Sequence, residues 1–331
     1  MHENYNRAQI AITGGTGFVG LSLAKYLSKR FEVRLLDLKP PDFPADFRVC
    51  DIRDKNSLIK NLAGCRLVIN CAVIQVPDIN ERKRLGYEVN VQGVQNICEA
   101  VESVDSIKGL IHTGSWHVFG ERNLRGVLNE QFGFHPDRTE DRARFYTLCK
   151  IAQESIIRIF ADTSTKFHSV IRLGTVLGEA MPKETAANIF IDSALKGQPI
   201  TPFKHTQHRP MLYVDINDVC RAFEFLASEI LGGSINKMES PIIANLVSPF
   251  PLTIIELARI IRKKVIEATC GTTMPKIKII DKGFNPVYSI QDKNALRVDI
   301  SRVQKLLKLR KLTHPQESIH GIILSRLAGA S

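Results

Sequence analysis

No stretch of this chain reaches the ~18 consecutive apolar residues that a membrane-crossing helix needs. Its opening, MHENYNRAQIAIT, lacks the basic-then-apolar order of a secretory signal, so a cytoplasmic location is expected. No two cysteines stand as CxxC. The seven lie at 50, 65, 71, 98, 149, 220 and 270, scattered and odd in number. Neither a disulfide framework nor a zinc or other metal site follows from that spacing, and reduced, mostly buried thiols are expected. Also missing are a zinc finger, an RNP-like aromatic motif, a long basic tail, an internal repeat and any low-complexity segment. A nucleic-acid partner is therefore not expected, although Lys plus Arg is 45 against 34 Asp plus Glu, a net charge of +11. Such a balance suits smaller anionic ligands, nucleotides among them. The densest basic run, RVQKLLKLRKL from Arg302 to Leu312, has leucines at near-helical spacing and predicts a solvated amphipathic helix.

What is present is enough apolar residue, 44% of 331, for one large or two modest domains. AQIAIT (8–13) reads as a short apolar strand, GGTGFVG (14–20) as a glycine loop, and LSLAKYLSKR as a helix. Strand, loop and helix in that order form a dinucleotide-binding fingerprint. Gly14, Gly17 and Gly20 stand as G-x-x-G-x-x-G. The first allows a tight turn, the second a close backbone approach to a pyrophosphate, and the third close helix packing. Phe18 and Val19 open the helix, whose free N–H groups would face the phosphates.

EVRLLDL (32–38) is the next strand, ending at Asp37 about twenty residues past the loop. There a carboxylate bonds a ribose 2′-OH and repels a 2′-phosphate, so NAD is favoured over NADP; Lys39 pulls the other way, and a plain turn acid is the alternative. Further strands are read at Val49–Asp54, with Asp51 near its end, at Arg66–Val73 and at Gly109–Ser115. Helices are read near 55–62 and 86–104. The alternation predicts an α/β fold with a doubly wound parallel sheet, which binds ligands beyond the C-terminal strand ends. Ser115 lies at such an end.

FYTLCKIAQESIIRIF (145–160) reads as a long helix with Tyr146 and Lys150 at i and i+4, on one face. A nearby ammonium and a cationic nicotinamide both favour the phenolate over the phenol. Tyr146 is thus expected to exchange a proton with a substrate hydroxyl, while Ser115 holds the same oxygen.

These motifs resemble the extended short-chain dehydrogenase/reductases, within them the nucleotide-sugar epimerase/dehydratase branch and its UDP-glucose/galactose 4-epimerase-like members. The resemblance runs over nearly the whole chain: TGGTGFVG (13–20), DIRD (51–54), NVQGVQNICEA (90–100), GSWHVFG (114–120), YTLCK (146–150), RLGTVLGE (172–179), HRPMLYVDINDV (208–219) and DISR (299–302). It implies a catalytic triad of Ser115, Tyr146 and Lys150. It implies that Asp37 meets the adenosine ribose, Asp51 and Ile52 the adenine, and Cys71 and Ala72 the cofactor backbone. Asn90 matches an asparagine on the helix behind the lysine.

The resemblance also implies a Rossmann domain over 1–178, joined again by 209–228 and 241–246. A smaller α/β substrate domain would be made of 179–208 and 247–331. There Asn188 matches a diphosphate contact, Phe203 a base-packing residue and Arg209 a pyrophosphate clamp, a task that suits a guanidinium fork. The family's Asn is replaced by Thr175, and its Arg-Asp pair reads Arg209-Pro210. The charged 121–145 segment is expected to cover the pocket, with Arg138, Arg142 and Arg144 in it. Related dehydratases and decarboxylases carry carboxylates just after the catalytic Ser/Thr. Here Trp116 and His117 stand instead, shaping the pocket or, for His117, acting as an acid/base. The implied activity is NAD-dependent epimerisation of a nucleotide sugar by a homodimer. A net NAD(P)-dependent oxidoreductase is the alternative, a dehydratase ranks lower, and a non-catalytic NAD-sensing or nucleic-acid-associated protein, suggested by the basic charge, is the remaining rival.

Overall fold

The computed structural model describes residues 8–234 and 240–329. The opening residues 1–7, read above for a signal, lie outside them. The first strand β1 (Gln9–Thr13) runs into a glycine turn and then helix α1 (Phe18–Leu27). Strands β2 (Glu32–Asp37) and β3 (Asp46–Val49), helix α2 (Lys55–Leu62) and strand β4 (Leu67–Asn70) follow. A continuous helical run then holds a five-residue π turn, Glu88–Gln92, before helix α3 (Gly93–Ser103). Strand β5 (Gly109–Ser115) leads on to the 23-residue helix α4 (Asp141–Thr163), strand β6 (Phe167–Leu173) and, much later, strand β7 (Ile242–Leu246).

These strands make one seven-stranded sheet in the order β7-β6-β5-β4-β1-β2-β3. β1 pairs in parallel with both β2 and β4, and the β2–β3 and β4–β5 pairs are parallel too. β4 and β5 are buried along almost their whole length, which is why they read as apolar runs rather than alternating ones. Chain order reverses between β1 and β4, the switch point at which open sheets of this kind bind ligands. One face of the core is filled by Leu58 and Leu62 of α2, Val94, Ile97 and Val101 of α3, and Val68 and Leu110 of the sheet. This is the Rossmann-type α/β sheet that the sequence predicts.

Several elements differ from the sequence reading: the strand read at Arg66–Val73 covers only Leu67–Asn70, and the first helix starts at Phe18 rather than Leu21. The third strand covers Asp46–Val49, not Val49–Asp54. Asp54 accepts a hydrogen bond from the Ser57 N–H and caps α2, and the Asp54 N–H reaches the Asp51 carbonyl at 3.0 Å, so 51–54 turns. Helix α4 starts at Asp141, four residues before the predicted Phe145, with an Asp141–Arg144 ion pair in its first turn. The basic run is helical only over Ser301–Leu306. Leu307, Leu309 and Leu312 beyond it are buried, so its leucines pack rather than line a solvated helix.

The chain divides into two compact units. The first comprises residues up to Val118, Phe134–Arg172 and Val219–Ala244; the second comprises Phe119–Gly133, Leu173–Asp218 and the chain from Asn245 on. In the second, Thr175–Leu177 pairs in parallel with Tyr213–Asp215, and Gly126–Leu128 with Leu296–Val298. Its helix Ile254–Ala268 starts at a capping box, Thr253 with Glu256, and packs against helices Ala186–Leu195 and Pro315–Gly329. Among the described residues no helix is long and apolar enough to cross a membrane, and no cluster of three His, Cys, Asp or Glu could hold a metal. Six cysteines are buried, Cys270 is exposed, and all seven are free thiols.

Candidate active site

The glycine loop is shaped by contacts that no side chain could share. Gly14 has φ of 66°, and a Cβ there would meet the Ala72 backbone nitrogen at 2.5 Å. A Cβ on Gly20 would sit 2.2 Å from the Gly14 carbonyl oxygen, so the first turn of α1 presses onto the loop. Gly17 is the N-cap of α1 and offers no side chain to its free N–H groups. Phe18 and Val19 form the partly exposed start of that helix. Asp37 ties the loop to β2: its carboxylate accepts from the Thr16 N–H at 3.0 Å and the Thr16 hydroxyl at 2.8 Å. The Leu38 N–H takes a third site on the carboxylate at 2.7 Å, so Asp37 stands beside the loop at the end of β2 with one lone pair remaining for a further donor.

Beyond β3, Asp51 is held by the fork of Arg53, with contacts down to 2.6 Å, and its carboxyl lies below the usual carboxylate range because of that bond. Arg53 also bridges to Glu88 at 3.2 Å. Ile52 is buried against Gly93, where a Cβ would strike its side chain at 2.6 Å. Cys71 is buried at the end of β4, and burial pushes its thiol up to about 12, which leaves it inert. Ala72 turns its N–H onto the Asn70 side chain at 3.0 Å. A cradle that only glycine fits, an uncapped helix start and an acid fixed at the loop suit a dinucleotide phosphate and ribose. NAD, when bound there, supplies the hydride acceptor and donor.

β5 ends at Ser115, and a 3₁₀ turn over Trp116–Phe119 follows at once. That turn brings the His117 N–H back to the Ser115 hydroxyl oxygen at 3.2 Å, with the His117 Nδ1 also 3.2 Å from it. Tyr146 arrives from the first turns of α4 and shares a hydrogen bond with Ser115. The Lys150 Nζ lies 5.8 Å from the Tyr146 ring centroid and donates to the Thr113 carbonyl at 2.9 Å. The structure thus brings Ser115, Tyr146 and Lys150 together. Trp116 is fully buried and lies 4.4 Å, ring to ring, from His117, which it braces.

The electrostatics differ from the sequence expectation. Burial pushes the Tyr146 phenol up to about 12, and the Ser115 hydrogen bond only partly offsets this. Burial pushes the Lys150 ammonium down to about 8. In both groups loss of water outweighs every other influence. A cationic nicotinamide bound near the pair would favour the phenolate.

Behind the triad runs a buried polar chain that sequence reading missed. The Thr13 hydroxyl donates to Asn70 Oδ1 at 2.8 Å, and Asn70 Nδ2 faces His112 Nδ1 at 3.0 Å. His112 Nε2 faces Gln153 Oε1 at 3.0 Å, and Gln153 Nε2 donates to the Asn90 carbonyl at 2.7 Å. Asn90, in the π turn, then clasps the Ile74 backbone on both sides, at 2.8 and 2.9 Å. Burial first, then the Lys150 charge, hold His112 well below its ordinary value, so it is neutral. With Nδ1 accepting and Nε2–H donating, every partner in the chain is consistent. The linking histidine and amides are far apart in sequence, and their only sequence signal is polarity inside otherwise apolar strands and helix faces.

The remaining candidates lie in the second unit. Thr175 opens a strand, partly exposed, with its N–H on the Leu212 carbonyl at 2.7 Å. Asn188 is buried and its amide donates to the Met181 and Pro182 carbonyls, which fixes the start of its helix. Phe203 is 45% exposed, stacked on His205 at 5.9 Å, with the Lys282 ammonium 5.6 Å from its ring. Arg209 lies 4.0 Å from the fully buried carboxylate of Glu121, a partner the sequence did not suggest. Of the three arginines expected near the pocket, Arg142 pairs with Glu140 at 2.7 Å and Arg144 with Asp141 at 2.6 Å.

Known proteins resemble this chain in sequence and in fold. The chain is 29% identical over 175 residues to the N-acetyl-alpha-D-glucosaminyl-diphospho-ditrans,octacis-undecaprenol 4-epimerase of Escherichia coli, a match taking in 51% of this chain and about half, 49%, of that protein. It is 27% identical over 240 residues to the dTDP-6-deoxy-L-talose 4-dehydrogenase (NAD(P)(+)) of Kitasatospora kifunensis, covering 67% of this chain and 70% of the relative. The fold matches that of UDP-glucose 4-epimerase from Thermus thermophilus, solved in complex with NAD, with a TM-score of 0.72 over 98% of this chain and 100% of that one at 20% identity. A family model takes in residues 10–237, the stretch that carries the glycine loop, Ser115, Tyr146 and Lys150, and the chain belongs to the NAD dependent epimerase/dehydratase family.

Proposed function

We propose that this protein is an NAD-dependent epimerase of a nucleotide-activated sugar, working by transient oxidation to a keto-sugar and re-reduction. The observation that carries this reading is the convergence of Ser115, Tyr146 and Lys150 at the C-terminal end of β5, beside the switch point. Tyr146 takes the hydroxyl proton from the sugar and later returns it. Ser115 polarises the same oxygen. Lys150 favours the phenolate and holds the nicotinamide ribose. No carboxylate stands at 116 or 117 to eliminate water, which sets a dehydratase behind an epimerase. Asn188, Phe203, Arg209 and Thr175 are the proposed nucleotide-sugar contacts, with Trp116 and His117 shaping the sugar end. The protein is proposed to act as a homodimer in the cytoplasm.

Replacing the phenol hydroxyl is the test. Tyr146→Phe is expected to lower kcat by about 10²–10⁴, the range for one general acid–base group, while bound NAD is retained. Full turnover by that variant would overturn the mechanism. A net oxidoreductase of a sugar or other alcohol is the second reading. It is favoured by Thr175 and Pro210 at positions where the family differs, and by Arg209 already facing Glu121.

A further inference from the structure

His117 stands where a proton leaving Tyr146 can go. Its backbone N–H occupies one lone pair of the Ser115 oxygen, at 3.2 Å, and its Nδ1 lies 3.2 Å from the same oxygen. Tyr146 also shares a hydrogen bond with that hydroxyl. The Tyr146 and His117 rings meet edge to face at 5.6 Å and 86°, so the polar path between them runs through Ser115. The 3₁₀ turn fixes the imidazole at both its backbone and its ring. Fully buried Trp116 lies 4.4 Å behind it. His117 and Tyr146 are partly exposed, whereas Ser115 between them is buried.

We propose that Tyr146, Ser115 and His117 form a proton relay, with the His117 imidazole as its terminal acceptor and donor. The step balances. The substrate hydroxyl proton passes to the Tyr146 oxygen, the phenol proton to the Ser115 oxygen, and the Ser115 proton to Nδ1 of His117; for this transfer the Ser115 O–H, its one donor, turns from the substrate oxygen to Nδ1. Three bonds to hydrogen break and three form, and the positive charge ends on the imidazole. The carbinol hydride goes to an oxidised nicotinamide, so the alcohol becomes a ketone as the coenzyme is reduced. The reverse sequence returns the proton when the ketone is re-reduced. This inference rests on Tyr146 being the acid–base group of the proposed function. Among the described residues, titratable groups of the same unit around the path include Lys150 and Cys149 on α4, Cys71 at the end of β4, and His112 on β5, which burial keeps neutral. Burial pushes the Cys149 thiol up to about 11 and the Cys71 thiol up to about 12, so neither competes for the proton near neutral pH.

Two measurements test it. The first needs no substrate: nitrogen NMR of His117 in the NAD-loaded protein. The relay requires the Nε2–H tautomer at rest, with a bare Nδ1 whose resonance moves in Ser115→Ala. An Nδ1–H tautomer at rest, or no response to Ser115→Ala, overturns the relay. The second uses turnover. His117→Asn keeps a hydrogen-bonding group near the Nδ1 position but cannot take up a proton. A loss in kcat of at least about tenfold is expected at unchanged KM, together with rescue of His117→Ala by added imidazole. Wild-type kcat in His117→Asn overturns the relay. If the wild-type protein converts no nucleotide sugar, the substrate reading fails, and the NMR result still decides the relay.

Discussion

Lys150 is a cation in a dry place. It is 3% exposed, its Nζ is held by the Thr113 carbonyl, and burial brings it down to about 8. An unfolded lysine keeps its proton to about 10.4. Between those values the unfolded chain binds more protons than the folded one, so this residue makes stability rise with pH from about 8 to about 10.4. Below about 8 its burial cost is present in full. Urea unfolding of the wild type and Lys150→Met at pH 8 and 10 checks this: the wild type is expected to gain on the variant as pH rises, and parallel behaviour would contradict it. The sequence made Tyr146 and Lys150 legible because i and i+4 on one helix must share a face, whatever surrounds them. It did not make their protonation legible. That depends on how much water the finished fold removes, and burial reversed the direction expected for the phenol.

At the scale of elements, strands and helices were read well where apolar periodicity was long. β5 was placed at Gly109–Ser115 and α2 at Lys55–Leu62, as found. The third strand failed because its apolar letters end at Ile52, while the acids of 51–54 turn the chain to cap α2. What no periodicity reveals is the buried link between β4, β5 and α4 through Asn70, His112 and Gln153, whose members lie 42 and 41 residues apart. That link fixes the turn of α4 next to Lys150 and, through Asn90, the π turn facing it. His112→Phe would leave Asn70 Nδ2 and Gln153 Oε1 buried without partners, at about 1–3 kcal/mol each. A loss of about 2–5 kcal/mol in urea-unfolding free energy is expected; unchanged stability would show that the chain of bonds carries little.

Over the whole molecule, the fold class and the cofactor half of the site follow from the first 150 residues, where strand, glycine loop and helix come in a fixed order. The proposed substrate contacts in the second unit are less legible. Asn188 and Arg209 are already bonded to or facing groups of their own unit, Met181 and Pro182 for one and Glu121 for the other. Contacts of this kind join residues far apart in the chain and have no local pattern. Assembly has a surface to use. Leu148 and Ile159, 48% and 66% exposed, lie eleven residues apart on α4, three helical turns, and so share one outer stripe. α3 packs beside α4. A homodimer through this pair of helices would cover that stripe. Light scattering is expected to give twice the 37.1 kDa chain mass for the wild type, and a single chain's mass for Ile159→Glu. A monomeric wild type would remove the dimer from the account.

The claim at the centre is that hydride leaves the sugar and returns to it. The most direct measurement follows UDP-, GDP- and dTDP-sugars with the NAD-loaded protein, recording isomer formation by NMR and reduced nicotinamide by absorbance in the same sample. The account predicts an isomer that accumulates to equilibrium while reduced nicotinamide does not grow with it. Reduced nicotinamide rising one for one with an oxidised product would contradict it and make the protein a net oxidoreductase.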